Sequence, residues 1–150
     1  MATRIELLDV TADNWRDCAD LEVTAEQQAF VSSVARYLCL CHYGGVWQPL
    51  AVAAEDGIVG FVMWAVDTDD GSGWIGGLSI GREHQRRGYG RAAVLALLER
   101  LRREQGCPSA ALSYSPGNAA ARSLYASLGF AETGEHEADA VVARLSLEET

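Results

Sequence analysis

The segment Leu78–Arg91 reads LSIGREHQRRGYGR, and it decides how the rest of the chain is interpreted. It opens as a short apolar strand, which breaks at Gly81. After a turn, Gly88-Tyr89-Gly90 leads into an alanine- and leucine-rich run that is typical of a helix. The segment therefore predicts a strand, a glycine loop and the beginning of a helix.

Three arginines surround the predicted beginning of this helix: Arg86, Arg87 and Arg91. Cations are unfavourable there, because the helix macrodipole is positive at its N-terminus and the first N–H groups lack partners. An anion bound by bare amides and guanidinium groups together would explain them. Gly88 and Gly90 would let the backbone approach that anion closely. The alternative interpretation is a tight turn with a solvated basic rim.

Two common phosphate-binding motifs do not fit the segment. There is no GxxxxGK[ST] sequence, and the glycines do not follow the GxGxxG spacing after a first strand. What remains is a strand, the run Gln85-Arg86-Arg87-Gly88-Tyr89-Gly90, and a helix. This order resembles the pyrophosphate loop of the GNAT N-acetyltransferases, Gln/Arg-x-x-Gly-x-Gly/Ala. The resemblance implies that the chain uses acetyl-CoA and binds its diphosphate at the loop.

The composition is that of an ordinary globular domain. The 150 residues suffice for one domain, residues 1–150, which would bury roughly two-thirds of its unfolded surface. Hydrophobic residues make up 49% and charged residues 22%. No run approaches the ~18 apolar residues of a membrane span, and the start of the chain, MATRIELLDV, lacks a signal-peptide core. We therefore expect a cytoplasmic protein without a membrane partner.

The net charge of −9 bears on the choice of ligand. The sequence contains no lysine, so its positive side chains at neutral pH are arginines. An acidic surface disfavours nucleic acid and attracts cationic ligands. The cysteines follow neither a CxxC pattern nor a zinc spacing, so we expect reduced core thiols and no metal site. They are Cys18, Cys39, Cys41 and Cys107.

The predicted elements amount to about seven strands and about four helices. Their order resembles the GNAT fold, which implies an α+β protein with three layers and a mixed, mostly antiparallel sheet. Strands are expected at 4–10, 49–55, 58–66, 74–80, 109–115, 130–135 and 140–147. Helices are expected from Thr11 or Asp13 to Leu21, over 26–42, over 91–105, and from the cap Asn118 to Gly129. The second helix should bury Phe30, Val34, Tyr37, Leu38 and Cys41.

A second motif supports the family resemblance. Asn118–Phe130, NAAARSLYASLGF, resembles the GNAT segment Asn-x-x-Ala-x-x-Leu-Tyr-x-x-x-Gly-Phe. Together with the order of the elements, it implies a single GNAT N-acetyltransferase domain across the chain. Leu21–Val31, Ser113–Glu135 and the VVARLSL run at 141–147 also resemble the bacterial spermine/spermidine acetyltransferases of the BltD and PaiA kind.

The resemblance implies that a substrate amine attacks the acetyl-CoA thioester directly, without a covalent enzyme intermediate. Tyr125 matches the tyrosine that protonates the leaving thiolate, since a phenol near pKa ~10 and a thiol near ~8.5 can exchange a proton. A core aromatic is its alternative role. The expected cofactor contacts are Leu78, Ser79, Ile80, Gln85, Arg86, Arg87, Gly88, Tyr89, Gly90, Arg91 and Asn118. A backbone N–H of 78–80 could also polarise the thioester oxygen, and Asn118 could be a helix cap alone.

The general base is left open. Many relatives carry an acidic residue in the fourth strand, where this chain has Gly76-Gly77. The candidates are Glu22, Glu26, Asp67 and Glu83, or a chain of water molecules. The first three are also the expected contacts of the acceptor amine, because carboxylates attract a cation.

The expected reaction is acetylation of a primary amine on a small cationic molecule, with spermine or spermidine first. The alternatives are a protein N-terminus, an amino acid or an amine antibiotic as acceptor. A different alternative is a module that binds acetyl-CoA as a sensor without catalysis. A homodimer is usual in the family and is expected here.

Overall fold

Seven strands form one mixed sheet in the computed structural model, which describes residues 3–148. The strands are β1 (Glu6–Asp9), β2 (Gln48–Ala54), β3 (Gly57–Val66), β4 (Gly73–Ile80), β5 (Ser109–Tyr114), β6 (Ala131–Glu137) and β7 (Ala140–Ser146). The helices are α1 (Trp15–Ala19), α2 (Val34–Gly44), α3 (Tyr89–Arg103) and α4 (Ala119–Ser127), with 3₁₀ turns at Gln27–Ala29 and Arg82–His84. The strand order is β1-β2-β3-β4-β5-β7-β6, and only the β4–β5 pair is parallel. The predicted sheet of seven strands with four helices is confirmed.

The sheet separates two hydrophobic clusters, so the molecule has the three expected layers. On one face, α3 buries Val94, Leu97 and Leu101 completely, and α4 packs beside it. On the other face, α1 and α2 cover Phe61 and Met63 of β3. Each large aliphatic side chain buried in this way contributes about 1.5–3 kcal/mol of transfer free energy. This burial fixes the helices on which the site residues lie.

The predicted helix over 26–42 is wrong in its first half. One 3₁₀ turn covers Gln27–Ala29, and α2 begins only at Val34. The break lies at Ser33, which has extended backbone angles and whose hydroxyl accepts a hydrogen bond from the N–H of Arg36 at 3.1 Å. Ser33 is thus an N-cap, and a helix cannot continue through it.

The break also changes which residues are buried. Val34 is buried and Tyr37, Leu38 and Cys41 are partly buried, as expected, but Phe30 is 43% exposed because it precedes the helix. The serine cap thus moves Phe30 out of the hydrophobic core, and the residue becomes available to a surface or a cavity.

The first helix begins later than predicted. Neither Thr11 nor Asp13 caps it, because α1 starts at Trp15 after Asn14. The Asn14 side chain does not cap the helix either: its oxygen accepts from the N–H of Thr11 at 2.8 Å, and its nitrogen donates to the Asp9 carbonyl at 2.9 Å. The predicted cap failed because Thr11 forms a turn of its own, in which its hydroxyl accepts from the N–H of Asp13 at 3.2 Å.

All four cysteines carry free thiols, but only two are core residues. Cys18 and Cys107 are buried and Cys41 is partly buried, whereas Cys39 is exposed, so the expected core position is wrong for Cys39. Burial raises the pKa of Cys18 and Cys41 to about 11, which keeps both thiols protonated and unreactive near neutral pH.

The parallel pair β4–β5 opens the sheet. These strands are paired only at their first residues, where Gly73 lies opposite Ala110 and Trp74 opposite Ala111. Beyond that point the carboxyl ends of the two strands diverge, and crevices at the carboxyl ends of parallel strands are common ligand sites.

Within residues 3–148, no helix combines the length and the apolar character needed to cross a membrane.

Candidate active site

A cavity of about 350 Å³ occupies the space between the diverging strands. Its lining comes from β4, the glycine loop, β5, α4, α2 and the segment before α2. It includes most of the predicted cofactor residues together with the predicted acid: Leu78, Ile80, Gln85, Arg86, Gly88, Tyr89, Gly90, Asn118 and Tyr125. Ser79 lies outside the lining, while Arg87 and Arg91 line a more open hollow on the other side of the loop. The two sequence motifs therefore meet at one space.

A bulge in β4 forms one wall of the cavity. Phe61 lies opposite Ser79 and Met63 opposite Gly76, so a single residue of β3 faces the two residues Gly77 and Leu78. Gly77 adopts a left-handed backbone with φ +64°. Because β5 has already diverged, neither bulge residue has a partner residue in a neighbouring strand. Such a bulge releases backbone N–H groups from the sheet, which leaves them able to donate to a ligand oxygen.

Three side chains pack beside the bulge at Gly77. A Cβ at Gly77 would lie 3.3 Å from Met63, from Phe61 and from Tyr37. The buried hydroxyl of Ser79 donates to the Gly77 carbonyl at 3.0 Å. Ser79 therefore stabilises the bulge from within, although it does not line the cavity.

The glycine loop has the conformation of an anion site. Gly88 is the N-cap of α3 with φ +81°, and Arg86 is also left-handed with φ +65°. A non-glycine residue held in this region costs about 1–2 kcal/mol. The strained arginine lines the cavity, next to the free N–H groups of the first turn of α3. Loop and guanidinium together could hold a diphosphate.

Gln85, a predicted cofactor contact, lines the cavity, and its side chain also makes hydrogen bonds within the protein. Its side-chain nitrogen donates to the Ile80 carbonyl at 2.6 Å and to the side-chain oxygen of Gln27 at 3.2 Å. Nearby, the N–H of Arg82 donates to the Glu22 carbonyl at 2.7 Å. The Gln85 side chain thus ties the loop to the segment before α2, and sequence reasoning missed Gln27 because the two residues are 58 positions apart.

Tyr125 is 9% exposed, and its ring lies between two others. The Tyr114 ring stacks on it with a centroid distance of 5.9 Å, and Phe130 meets it edge-on at 5.9 Å. Burial, with smaller contributions from Tyr114 and Tyr37, raises the pKa of Tyr125 to about 12. The pKa of Tyr125 therefore exceeds that of a thiol by more than the reference values suggest. Near neutral pH, Tyr125 is protonated and can donate a hydrogen bond.

This pKa predicts the alkaline behaviour of the reaction. Because the raised pKa keeps the phenol protonated until the pH nears its pKa, we expect no loss of kcat from Tyr125 ionisation below about pH 10. The measurement is kcat against pH at saturating amine. A descending limb near pH 9 that is missing from Tyr125→Phe would contradict it.

Asn118 keeps both of its interpretations. It is the N-cap of α4, and its side-chain oxygen accepts from the N–H of Ala121 at 3.2 Å. It also lines the cavity. Capping accounts for one acceptor position, while the amide nitrogen stays available to a ligand.

The acidic candidates lie outside the cavity lining. Glu22 forms an exposed ion pair with Arg82 at 3.7 Å, and Glu26 and Glu83 are exposed. Asp67 lies in the turn before β4, at the opposite end of that strand from Ile80. None of the described lining residues is a carboxylic acid, and the ionisable ones are Tyr37, His84, Arg86, Tyr89, Tyr114 and Tyr125.

The sequence did not identify His84, Tyr37 or Tyr114 as site residues, although all three line the cavity. The position of His84 beside the glycine loop was the one available signal, whereas the two tyrosines come from distant elements.

Within residues 3–148, no group of three or more His, Cys, Asp or Glu side chains is placed to hold a metal ion.

Comparison with known proteins agrees with this geometry. The sequence profile of the Acetyltransferase (GNAT) family matches residues 7–130. Two relatives from Bacillus subtilis are each 30% identical over 142 residues, covering 87% of this chain and 90% of the relative. They are the probable spermine N(1)-acetyltransferase of subspecies natto (strain BEST195) and the spermine/spermidine N(1)-acetyltransferase of strain 168.

Solved structures share the fold. The ribosomal-protein-S18-alanine N-acetyltransferase of Escherichia coli superposes with a TM-score of 0.73 at 20% identity, over 98% of this chain and 96% of that one. The spermidine N-acetyltransferase of Vibrio cholerae in complex with CoA and spermine gives 0.72 at 17% identity, over 93% and 92%. The profile match, the relatives and the seven-stranded sheet with its β4 bulge lead to one conclusion: this chain belongs to the GNAT family of acetyltransferases.

Proposed function

We propose that this protein transfers the acetyl group of acetyl-CoA to a primary amine of a polyamine such as spermine or spermidine. The observation that carries the proposal is the cavity between β4 and β5, which brings the glycine loop, the β4 bulge and Tyr125 to one space. The curated relatives named for spermine and spermidine acetylation match along 87% of the chain and support this choice of acceptor.

The chain's own groups fit the needs of acetyl-CoA. The N–H groups at 88–91 and the Arg86 guanidinium would bind the diphosphate, with Arg87 and Arg91 adding charge outside the cavity. The edge of β4 at Leu78–Ile80, unpaired on the β5 side, would bond to the amides of the pantetheine arm. A released N–H of the bulge would donate to the thioester oxygen as it gains charge.

The proton balance follows from the lining residues. The amine nitrogen forms a bond to the acetyl carbon, the carbon–sulfur bond breaks, and the thiolate receives a hydrogen bond from Tyr125 and then a proton. The proton lost by the amine needs an acceptor. Because no carboxylate is found among the described lining residues, we favour water molecules that lead it out of the cavity over Glu22, Glu26, Asp67 or Glu83.

The experiment is a panel of amines assayed by the release of free CoA thiol. It includes spermine, spermidine, a monoamine, an amino acid, a peptide N-terminus and an aminoglycoside. We expect the highest kcat/KM with a polyamine. A higher kcat/KM with the peptide or the aminoglycoside would show that this compound, and not a polyamine, is the preferred acceptor. If no amine causes thiol release, a protein that senses acetyl-CoA without catalysis is favoured.

Salt should separate polyamines from monoamines, because Glu22, Glu26 and Asp67 would attract a polycation over long range. Raising the ionic strength from about 0.01 M to 0.15 M shortens the Debye length from ~30 Å to ~8 Å. The kcat/KM of spermidine should fall steeply over this range, that of a monoamine less, and the KM of acetyl-CoA should change less than the KM of the polyamine. Equal slopes for the two amines would remove the polyamine from the proposal.

The proposal places the reaction in the cytosol, where free thiols such as the four in this chain are stable. A homodimer, which the family resemblance implies, remains a prediction for the oligomeric state. The proposed partner is the small amine itself.

A further inference from the structure

A hydrogen-bonded group beside the cavity links three elements of the fold. The Tyr114 hydroxyl, at the end of β5, donates to Oε2 of Glu132 in β6 at 2.8 Å. The Nε–H of Arg122 in α4 donates to the same oxygen at 2.9 Å. We refer to Tyr114, Glu132 and Arg122 as the tyrosine anchor. Its members come from β5, α4 and β6, which follow one another along the chain.

The tyrosine anchor is linked to Tyr125 through a ring contact and through helix α4. The Tyr114 ring, only 8% exposed, stacks on the Tyr125 ring with an interplanar angle of 22°. Arg122 lies three residues before Tyr125 on α4, which places both side chains on neighbouring positions of one helix face. The anchor therefore holds the ring against which Tyr125 packs and also the helix that carries it.

The charge state of Glu132 suits this role. The hydrogen bond from Tyr114, followed by the bond and charge of Arg122, holds the pKa of Glu132 below its usual range, so the carboxylate stays an acceptor at neutral pH. The Arg122 and Glu132 side chains are 45% and 41% exposed. Ion pairs with this exposure add little to stability, which leaves orientation as their main effect.

We propose that Tyr114, held by Glu132 and Arg122, is a positioning residue that sets the place of the Tyr125 hydroxyl in the cavity. This inference rests on the proposed role of Tyr125 as the proton donor to the thiolate. The distance from donor to sulfur decides how well a proton is shared, and a displacement of about 1 Å can cost up to 10²-fold in rate. The anchor would prevent such a displacement.

Two variants release the anchor without emptying the core. Tyr114→Phe keeps the stacked ring and removes the hydroxyl, and Glu132→Gln keeps the shape of the acceptor and removes its charge. Each should lower kcat by roughly tenfold, because Tyr114→Phe removes the hydrogen bond that holds the donor and Glu132→Gln removes the charge that strengthens it. The KM of acetyl-CoA should change less than about twofold, since the diphosphate loop is untouched. The assay uses the full chain with the fastest amine of the panel.

The matched control is Glu135→Gln on the same strand. Glu135 is a similarly exposed carboxylate that is bonded to Arg144 at 2.8 Å and to Thr133, and it takes no part in the hydrogen bonds of the tyrosine anchor. Its replacement should leave kcat within about twofold of the parent, as expected for an exposed ion pair. An equal loss of kcat in Glu132→Gln and Glu135→Gln would overturn the inference.

A double-mutant cycle gives the decisive result. If Glu132 acts through the Tyr125 hydroxyl, Glu132→Gln should lower kcat in the parent and have no effect in the Tyr125→Phe background. The same loss in both backgrounds would show a merely structural role and overturn the inference, while the proposed function would stand. If Tyr125→Phe itself leaves kcat unchanged, the role of Tyr125 fails and the inference fails with it.

Discussion

Gly90→Asp should abolish acetyl-CoA binding while the protein stays folded. Gly90 is the second residue of α3, where the first N–H groups would hold the diphosphate. A carboxylate at this position meets the diphosphate as a like charge, which costs several kcal/mol, so we expect a loss of affinity of roughly 100-fold or more. Isothermal titration calorimetry measures the dissociation constant, and circular dichroism measures the fold.

The structure supplies a matched control at the same position. A Cβ at Gly90 would lie 3.7 Å from Ile80 and 3.9 Å from Leu78, which are ordinary contacts, so Gly90→Ala should fold and bind with little loss. Aspartate in the first turn of a helix is also favourable for the macrodipole, and unfolding is therefore not expected to explain the result. Unchanged affinity in Gly90→Asp would refute the assignment of the loop.

Tyr125→Phe should lower kcat about 100-fold and leave the affinity for acetyl-CoA nearly unchanged. The substituted ring can still pack between Tyr114 and Phe130, so only the hydroxyl is lost. Rapid-quench measurement of the first turnover isolates the chemical step. A normal rate under conditions where chemistry is limiting would make Tyr125 a core aromatic only.

The sequence was sufficient where the signal is local. The loop at 85–90 and the helix after Asn118 could be predicted, since the glycine spacing and the cap lie within a few residues of what they determine. The boundary at Ser33 was missed because the apolar spacing continues across 26–42. A hydrophobic period alone does not tell where a helix begins.

The rest of the site depends on contacts between distant segments. Gly77 could be seen to replace an acidic residue, but the bulge it forms depends on Met63 and Tyr37, which belong to β3 and α2. Tyr114 and Glu132 were likewise out of reach, since nothing in either strand distinguishes them from the other polar residues there. Such pairs depend on strand register, which no single segment encodes.

The packing around the β4 bulge limits how this enzyme can evolve. A Cβ at Gly76 would lie 3.1 Å from the Trp47 ring and 3.2 Å from Met63, and any side chain at Gly77 would also require a strained left-handed backbone. A carboxylate at Gly76 would therefore require Trp47 and Met63 to move by a few tenths of an ångström, and one at Gly77 would also require the strained backbone. The segment 24–31 has no comparable barrier, since much of it is exposed. Descendants of this sequence should thus acquire new amine substrates through that segment, while the strand stays as it is.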